Sequence, residues 1–570
     1  MKRTAPLLML LAGCFFGCGA APTGADAATD AAPSGADAGV DAGPPEVVPD
    51  LVCPGDEGCP AGGDGALHAG AAAVSITPPL SDNEPLTVDV DGDGDYDPED
   101  GDTYEDVNGN GAYDAVWLAG FGNGRRATEV LNDAWARALA LRNGETTVVF
   151  VVLDVVGFFF DDAEPIRAMT ADLDVDYVVV SATHSHESRD TIGIWGRTLD
   201  ETGRSDAYMA FVQERAARAV REAVDALERA HVQYASLRLR DLPGGVLRYV
   251  SDTRDPQVID DEVRVMRFVT PEGATVSTFV NFAAHPEYMG SRNTRFSSDF
   301  PHWLREGVEV GVDGPEGARR DGVGGVTVFV NGALGSQIGP GAVRLESWEG
   351  EPVERNTEAA ARTVGSQLAW HVLGALGPDG GSTTDETAAL AFRRHRFRAP
   401  IENRRYHIAY LSGLFTRGLY DYDPDRAIRR GNFPYVQTEA LVLDVGRAQL
   451  ITAPGELDPA LFVGGYDGAY APAGVPVVDE TAENPPELSR APEGPYLRDL
   501  ARPDAEQVWL LGLTGDFLGY FIPEFDYELD PGVPYIAEAP GDHYEETNSI
   551  GESGWPIVHR VMRALLRGSP

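Results

Sequence analysis

The segment Tyr177-Val178-Val179-Val180-Ser181-Ala182-Thr183-His184-Ser185-His186 joins a β-branched apolar run to two histidines one residue apart. A run that is apolar at successive positions leaves no face for water, so it reads as a central strand covered on both sides. Residues two apart on a strand face the same side, and His184 and His186 would then present both imidazoles to one place. The same grammar recurs on either side of this segment. Val148 to Val156, Val276 to Ala283, Val326 to Val330, Leu450 to Ala453 and Val508 to Leu513 read as further buried strands, while Ala207 to Leu227 has helical spacing with Glu and Arg on its outer face. Such alternation predicts an α/β fold in which one large domain has a mixed β-sheet flanked by helices.

Several of these strands end in a polar or ionisable group: Asp154, the pair His184 and His186, His285, Asn331 and Glu456. In open α/β sheets the ligand crevice lies beyond the carboxyl ends of strands, so these side chains are candidates to converge. A lone His-x-His serves equally well as two hydrogen-bonded histidines at a strand end. The company of His285 in Asn281-Phe282-Ala283-Ala284-His285-Pro286 and of Glu456 in Ala453-Pro454-Gly455-Glu456 shifts the reading to a metal. Two histidines and a carboxylate leave an open position for water, which is the ligand pattern of a hydrolytic zinc site.

Seven segments, in order along the chain, resemble the landmarks of the neutral, non-lysosomal ceramidase family in its N-terminal catalytic domain. They are Ala69 to Pro78, Ser181 to His186, Asn281 to Pro286, Ser298-Asp299-Phe300-Pro301, Pro454-Gly455-Glu456, Gly519-Tyr520 and Tyr544-Glu545. The resemblance implies that His184, His285, Glu456 and Tyr520 bind zinc, with His186 beside them as a proton-transfer group. Whether His184 or His186 is the direct ligand stays open. It also implies that Arg254 and Tyr544 steady the developing oxyanion or hold the substrate head. For Arg254 an ion pair with Asp252 or Asp255 across a turn is an equal reading.

The chain departs from the family in several places. The family has a serine in a Gly-Asp-x-Ser-Pro-like turn, where this chain reads Asn331 to Pro340 with Ile338 or Gly339 in that place. Ser336 is the remaining candidate, and direct attack by zinc-activated water becomes the expected route. Glu187-Ser188-Arg189-Asp190 stands where the family has a Gly/Pro-rich turn, which predicts charge at the mouth and a different head group. The sequence stops at Pro570 soon after the tyrosine motif, so no C-terminal β-domain is expected. The expected activity is zinc-dependent hydrolysis of the amide bond of ceramide or a related N-acyl lipid. The alternatives are a zinc esterase or amidase for a polar metabolite, which the charged segment favours, and a catalytically silent surface binding protein.

Ahead of the domain, Lys2, Arg3, the apolar run Leu7 to Ala12 and the tetrad Leu11-Ala12-Gly13-Cys14 read as a lipoprotein signal over 1–13, with Cys14 lipidated. The run is too short for a permanent span. Phe15 rather than Asp follows Cys14, so the expected location is the outer membrane or cell surface. Residues 14–66, rich in Ala, Asp, Gly and Pro, predict a disordered tether, in which Cys53 and Cys59 can close a small loop in an oxidising compartment. The catalytic domain is then 67–570, with an acidic insertion at 82–114. There Asp89, Asp91, Asp93, Gly94, Asp95 and Asp100 follow the spacing of a calcium loop, and Asp106, Asn108, Asn110, Gly111 and Asp114 repeat it, so a structural Ca2+ is expected. A formal net charge of -45 excludes a nucleic-acid partner, whose phosphates need clustered Lys and Arg. Lys2 is the only lysine, so catalytic-lysine chemistry is excluded from the mature chain. The expected partners are the lipid or N-acyl amide substrate and the membrane reached through the N-terminal lipid.

Overall fold

In the strand Thr146–Leu153, Val148, Phe150 and Val152 point into one apolar cluster while Val149, Val151 and Leu153 point into another. The two-residue period of a strand requires this split, and Val326–Asn331 and Tyr435–Val445 repeat it. The computed structural model describes residues 46–57, 59 and 65–567. Among them, such strands form three five-stranded sheets around one shared central cluster. The mixed β-sheet flanked by helices expected from the sequence is thus present, divided into three mixed sheets. The reason is burial: every long strand has two apolar faces, and three sheets around a common core, each backed by helices, cover both.

All three sheets share one strand order. The first runs Tyr177–Ala182, Thr146–Leu153, Trp135–Asn143, Leu67–Ser75; the second runs Val326–Asn331, Thr275–Phe282, Glu262–Val269, His231–Arg238; the third runs Gln507–Leu511, Ala448–Thr452, Tyr435–Val445, Leu390–Pro400. A short fifth strand lies at the far edge of each. In every case the first pair is parallel and the next two pairs are antiparallel. Along the chain each unit is therefore a three-stranded meander, a crossover and a parallel fourth strand, followed by a long helix: Asp206–Asp225, Glu358–Leu376 or Gly554–Arg567. Those helices cover the outer sheet faces through three separate apolar clusters. The first of them starts cleanly because Ser205 accepts from the Tyr208 backbone N–H.

The parallel fourth strands meet at the centre and are stitched at their carboxyl ends. Asn331 Nδ2 donates to the Thr183 and Ala284 carbonyls, Ala182 N to Leu513 O, and Gly512 N to Asn331 O. The strand-end Asn331 is therefore a clasp between sheets. Asp154 is also a joint: its two oxygens accept from Arg305 at 2.8 and 2.9 Å, tying the first sheet to the helix Phe300–Val310 that backs the second.

One sequence boundary is corrected. Leu51–Cys53 pairs with Leu390–Pro400 at the edge of the third sheet, and the bridged Cys53 and Cys59 are buried in the central cluster. Within the tether expected over 14–66, Leu51–Cys53 and Cys59 are thus part of the fold, because these apolar groups have a sheet edge to cover. Cys14 and the signal lie outside the described residues. The acidic insertion is held to the body rather than dangling from it. Tyr96, Tyr104, Tyr113 and Trp117 pack together beneath it, and the buried Glu84 accepts from Val107 N and Asp114 N.

Breaking the Asp154–Arg305 joint leaves a carboxylate buried with no counter-ion. Arg305→Ala is expected to lower unfolding free energy by about 3–5 kcal/mol, read as a shift in the urea midpoint; a loss below about 1 kcal/mol, the size of an exposed pair, rejects the role.

Candidate metal centre

Each sheet delivers part of one buried cluster beyond its strand ends. The first sheet supplies His184 and His186, the second His285, and the third Glu456. His184 Nε2 lies 3.2 Å from His186 Nε2 and 3.4 Å from Glu456 Oε2, and His285 Nε2 lies 3.1 Å from the same carboxylate oxygen. All four side chains are buried. The convergence of the His-x-His pair has a different origin from the one expected. The strand stops at Ala182, and His184 adopts a left-handed φ of 71°, so a tight turn and not the strand pleat brings both rings together. A non-glycine residue in that region costs on the order of 1–3 kcal/mol, a strain that concentrates at functional sites.

The outward nitrogens of the rings decide what the inward ones can do. His184 Nδ1 sits 2.5 Å from the Val156 carbonyl and His285 Nδ1 sits 3.1 Å from the Gln337 carbonyl. A carbonyl can only accept, so both Nδ1 atoms carry a proton, and in the neutral rings both Nε2 atoms turn a lone pair inward; protonated, His285 would instead donate Nε2–H to Glu456, a pairing that raises His285 against burial. His186 Nδ1 lies 3.0 Å from Glu287 Oε2, out of line for a good hydrogen bond. Burial pushes His186 down to about 4 against the pull of Glu287, which keeps it neutral. Burial raises the Glu456 carboxyl, but His184 and His285 overcome it and hold Glu456 below the usual carboxylate range. Lone pairs from the imidazoles therefore face Glu456, with Glu287 close behind. No Arg or Lys forms an ion pair with either carboxylate among the described residues. With the rings neutral, such an arrangement is repulsive without a cation inside it; with a proton on His285 the proton is that cation. His184, His186 and His285 have ligand atoms within 4.8 Å of one another, and imidazole with carboxylate is a donor set that zinc accepts. The residues fit a metal ion.

The other candidates are placed as follows. Tyr520 pairs with Glu456 in a short parallel bridge, and burial together with the facing Glu456 pushes its phenol well above the ordinary value. Tyr544 lies with its ring 5.9 Å from that of Tyr520 and is 51% exposed, at the rim. Arg254 pairs with neither Asp252 nor Asp255. Its guanidinium is spent on Asp526, Glu545 and Glu546 at 2.8–2.9 Å, which fixes the turn carrying Tyr544. Ser336 is buried, accepts from Gln337 Nε2 and lies beside Asp252, whose carboxyl it helps to lower against the larger effect of burial. The charge expected at the mouth from Glu187 to Asp190 is inside instead. Glu187 pairs with Arg125 at 2.7 Å, Arg189 with Asp82 at 2.6 Å, and Asp190 accepts from the backbone of Ile192, Gly193 and Trp195. Buried charge calls for compensation: each of these has a partner, although burial still pushes the Glu187 carboxyl up to about 8 against the pull of Arg125.

The acidic loops stand apart from this cluster. Carboxylate oxygens of Asp89, Asp91 and Asp93 gather within 4.8 Å, and Asp89 accepts from Gly92 N and Gly94 N. Asp95 is turned to Arg126 at 3.1 Å. Crowding, by Asp97 first, raises the Asp100 carboxyl. In the second loop Asp106 accepts from Gly109 N and Gly111 N, while Asn108 and Asn110 donate to Asp114.

No family model and no curated protein matches the chain. Solved structures do match. Neutral ceramidase from Pseudomonas aeruginosa aligns at a TM-score of 0.57 and 14% identity, over 88% of this chain and 74% of that one. The chain has a neutral ceramidase fold. A ceramidase complexed with C2 aligns at 0.54 and 14% identity, over 88% of this chain and 75% of that one.

Around this ceramidase-like frame, sequence reasoning missed three residues that shape the site. Glu287, two residues past His285, is the carboxylate beside His186; its short spacing from a strand-end histidine was the available signal. Arg125 donates to the His186 and Ala119 carbonyls, and Gly120 lies against the His186 ring. Nothing local marks Arg125 or Gly120, because both reach the site through tertiary packing. Gly120 has a φ of 92°, and a β-carbon there would fall 2.2 Å from His186 Cγ. Gly120→Ala is therefore expected to displace His186 and to cost at least about 1 kcal/mol from the backbone alone. Thermal unfolding checks it; an unchanged midpoint in the variant rejects the clash with His186.

Proposed function

We propose that the protein hydrolyses the amide bond of ceramide or a related N-acyl lipid, with zinc held by His184, His285, Glu456 and Tyr520. The observation that supports this reading is the convergence of imidazoles from the first and second sheets on Glu456 from the third, in a ceramidase-like fold. Zinc, when bound, polarises the amide carbonyl and makes water acidic enough to attack near neutral pH. The chain does the rest. His186, neutral and buried, takes a proton from the attacking water at Nε2 and returns it to the departing amine. Glu287, beside Nδ1, steadies the imidazolium formed in between. Tyr544, at the rim, donates its phenol proton in a hydrogen bond to the substrate carbonyl oxygen. Ser336 is turned to Asp252 and takes no part as nucleophile in this scheme.

The polar-metabolite alternative loses its support, because the charged segment that favoured it is internally paired and buried. The same proposal covers two further features. Cys14 carries the lipid that holds the enzyme at an outer membrane or cell surface, and the loops at Asp89 and Asp106 bind structural Ca2+.

Metal analysis of purified protein is expected to find about one zinc per chain in the wild type and close to none in His285→Ala and Glu456→Ala, with amide turnover lost in both. Zinc-free protein with undiminished turnover of N-acyl lipid sinks the proposal; full zinc with no hydrolysis of any amide or ester turns it into the silent binding protein. Calcium at about 100 times its dissociation constant is expected to add about 2.7 kcal/mol of stability. Asp89→Asn with Asp93→Asn should abolish that gain in thermal unfolding, and a gain that survives places the ion elsewhere.

A further inference from the structure

The helix Gly554–Arg567 buries Trp555, Val558, Val561, Met562, Leu565 and Leu566 against the third sheet. Its other face carries His559, Arg560, Arg563 and Arg567, and the helix has no Asp or Glu. This absence is local: the whole chain has 90 acidic residues against 45 basic ones. Elsewhere arginines close onto carboxylates, as Arg137, Arg167 and Arg305 do. Arg560, Arg563 and Arg567 make no ion pair among the described residues, and Arg560 and Arg567 are exposed. The groove they line contains Glu46 as its sole acidic member, together with Val48, which is 62% exposed. A second groove adjoins it at Pro556 and adds Arg404, Arg429 and Arg430, likewise without ion pairs among the described residues, beside Glu402, Glu524 and Glu552. Glu402 is already engaged by the Ser553 N–H and hydroxyl.

Two placements say what covers this stripe. The first turn of the helix sets Trp555 against Phe521, the neighbour of Tyr520, so the helix that carries the stripe begins against the segment that bears Tyr520. Glu46 to Pro49, the first described residues, line the same groove, so the chain leading back to Cys14 departs from the stripe.

We propose that this arginine stripe seats the protein on an anionic lipid surface. Guanidinium groups match phosphate headgroups in geometry and charge. Salt screens exposed charges beyond about 10 Å at 0.1 M, so the acidic remainder of the surface does not cancel a patch in contact with headgroups. The inference stands apart from the hydrolytic reading, since it needs neither zinc nor turnover.

The test uses the full chain carrying Cys14→Ser, so that no acyl chain contributes, and co-sedimentation with phosphatidylcholine vesicles made with and without phosphatidylglycerol. The protein is expected to prefer the anionic vesicles, and high salt should erase the preference. Each arginine near the surface contributes about a fivefold factor, so Arg560→Gln, Arg563→Gln and Arg567→Gln together should weaken anionic binding by at least about tenfold. The thermal unfolding midpoint of the triple variant should match the parent, which separates a lost surface from a lost fold. Equal binding to both vesicle types, or a preference that the triple variant keeps, overturns the proposal. So does a preference that emerges only when Asp26, Asp30, Asp37 and Asp41 become Asn, because the stripe is then occupied by the acidic N-terminal segment.

Discussion

Three imidazoles and two carboxylates held out of water, with their acceptors turned toward one another, cannot persist as a neutral core. Burial of unpaired acceptors costs several kcal/mol each, and the carbonyls of Val156 and Gln337 leave neutral His184 and His285 no N–H to turn inward. A positive charge at the centre is the condition under which the arrangement makes sense. The surrounding structure is organised to maintain it. His184 sits in a strained turn, Gly120 is cut away to make room for His186, and Arg125 grips the His186 carbonyl from behind.

Most strands were legible in the sequence because burial on both faces writes itself as an unbroken apolar run. Thr146–Leu153, Tyr177–Ala182 and Thr275–Phe282 lie within a few residues of their expected limits. The grouping into three sheets was not legible. A strand's partner is set by which edge it meets in space, and the three units share topology without sharing a readable repeat. The strand-end polar residues illustrate both outcomes. His184, His285 and Glu456 do meet, whereas Asp154 and Asn331, with the same local signature, hold sheets together. Only the partner distinguishes them, and the partner lies far along the chain.

The segment from Glu187 to Asp190 shows the corresponding limit for charge. Four polar residues after a histidine pair suggest a wet rim, yet every one is covered. Arg125, Asp82 and three backbone N–H groups compensate them. Arg254 follows the same rule, since its cation is exhausted by three carboxylates before any substrate arrives. Near this site ionisable side chains serve mainly as internal fasteners, which leaves the cluster around Glu456 as the place where acceptors outnumber donors.

The repeated sheet plan bears on how such a protein can diverge. Strands and helices carry the packing, while the crossovers that follow the third strand of each unit, and the loops that follow the fourth, carry the side chains around the cluster. Any of those six connections can lengthen, shorten or change character without opening the shared interior. Descendants can thus exchange nearly all their surface chemistry and keep the scaffold, which accounts for a recognisable architecture at a level of residue agreement close to background.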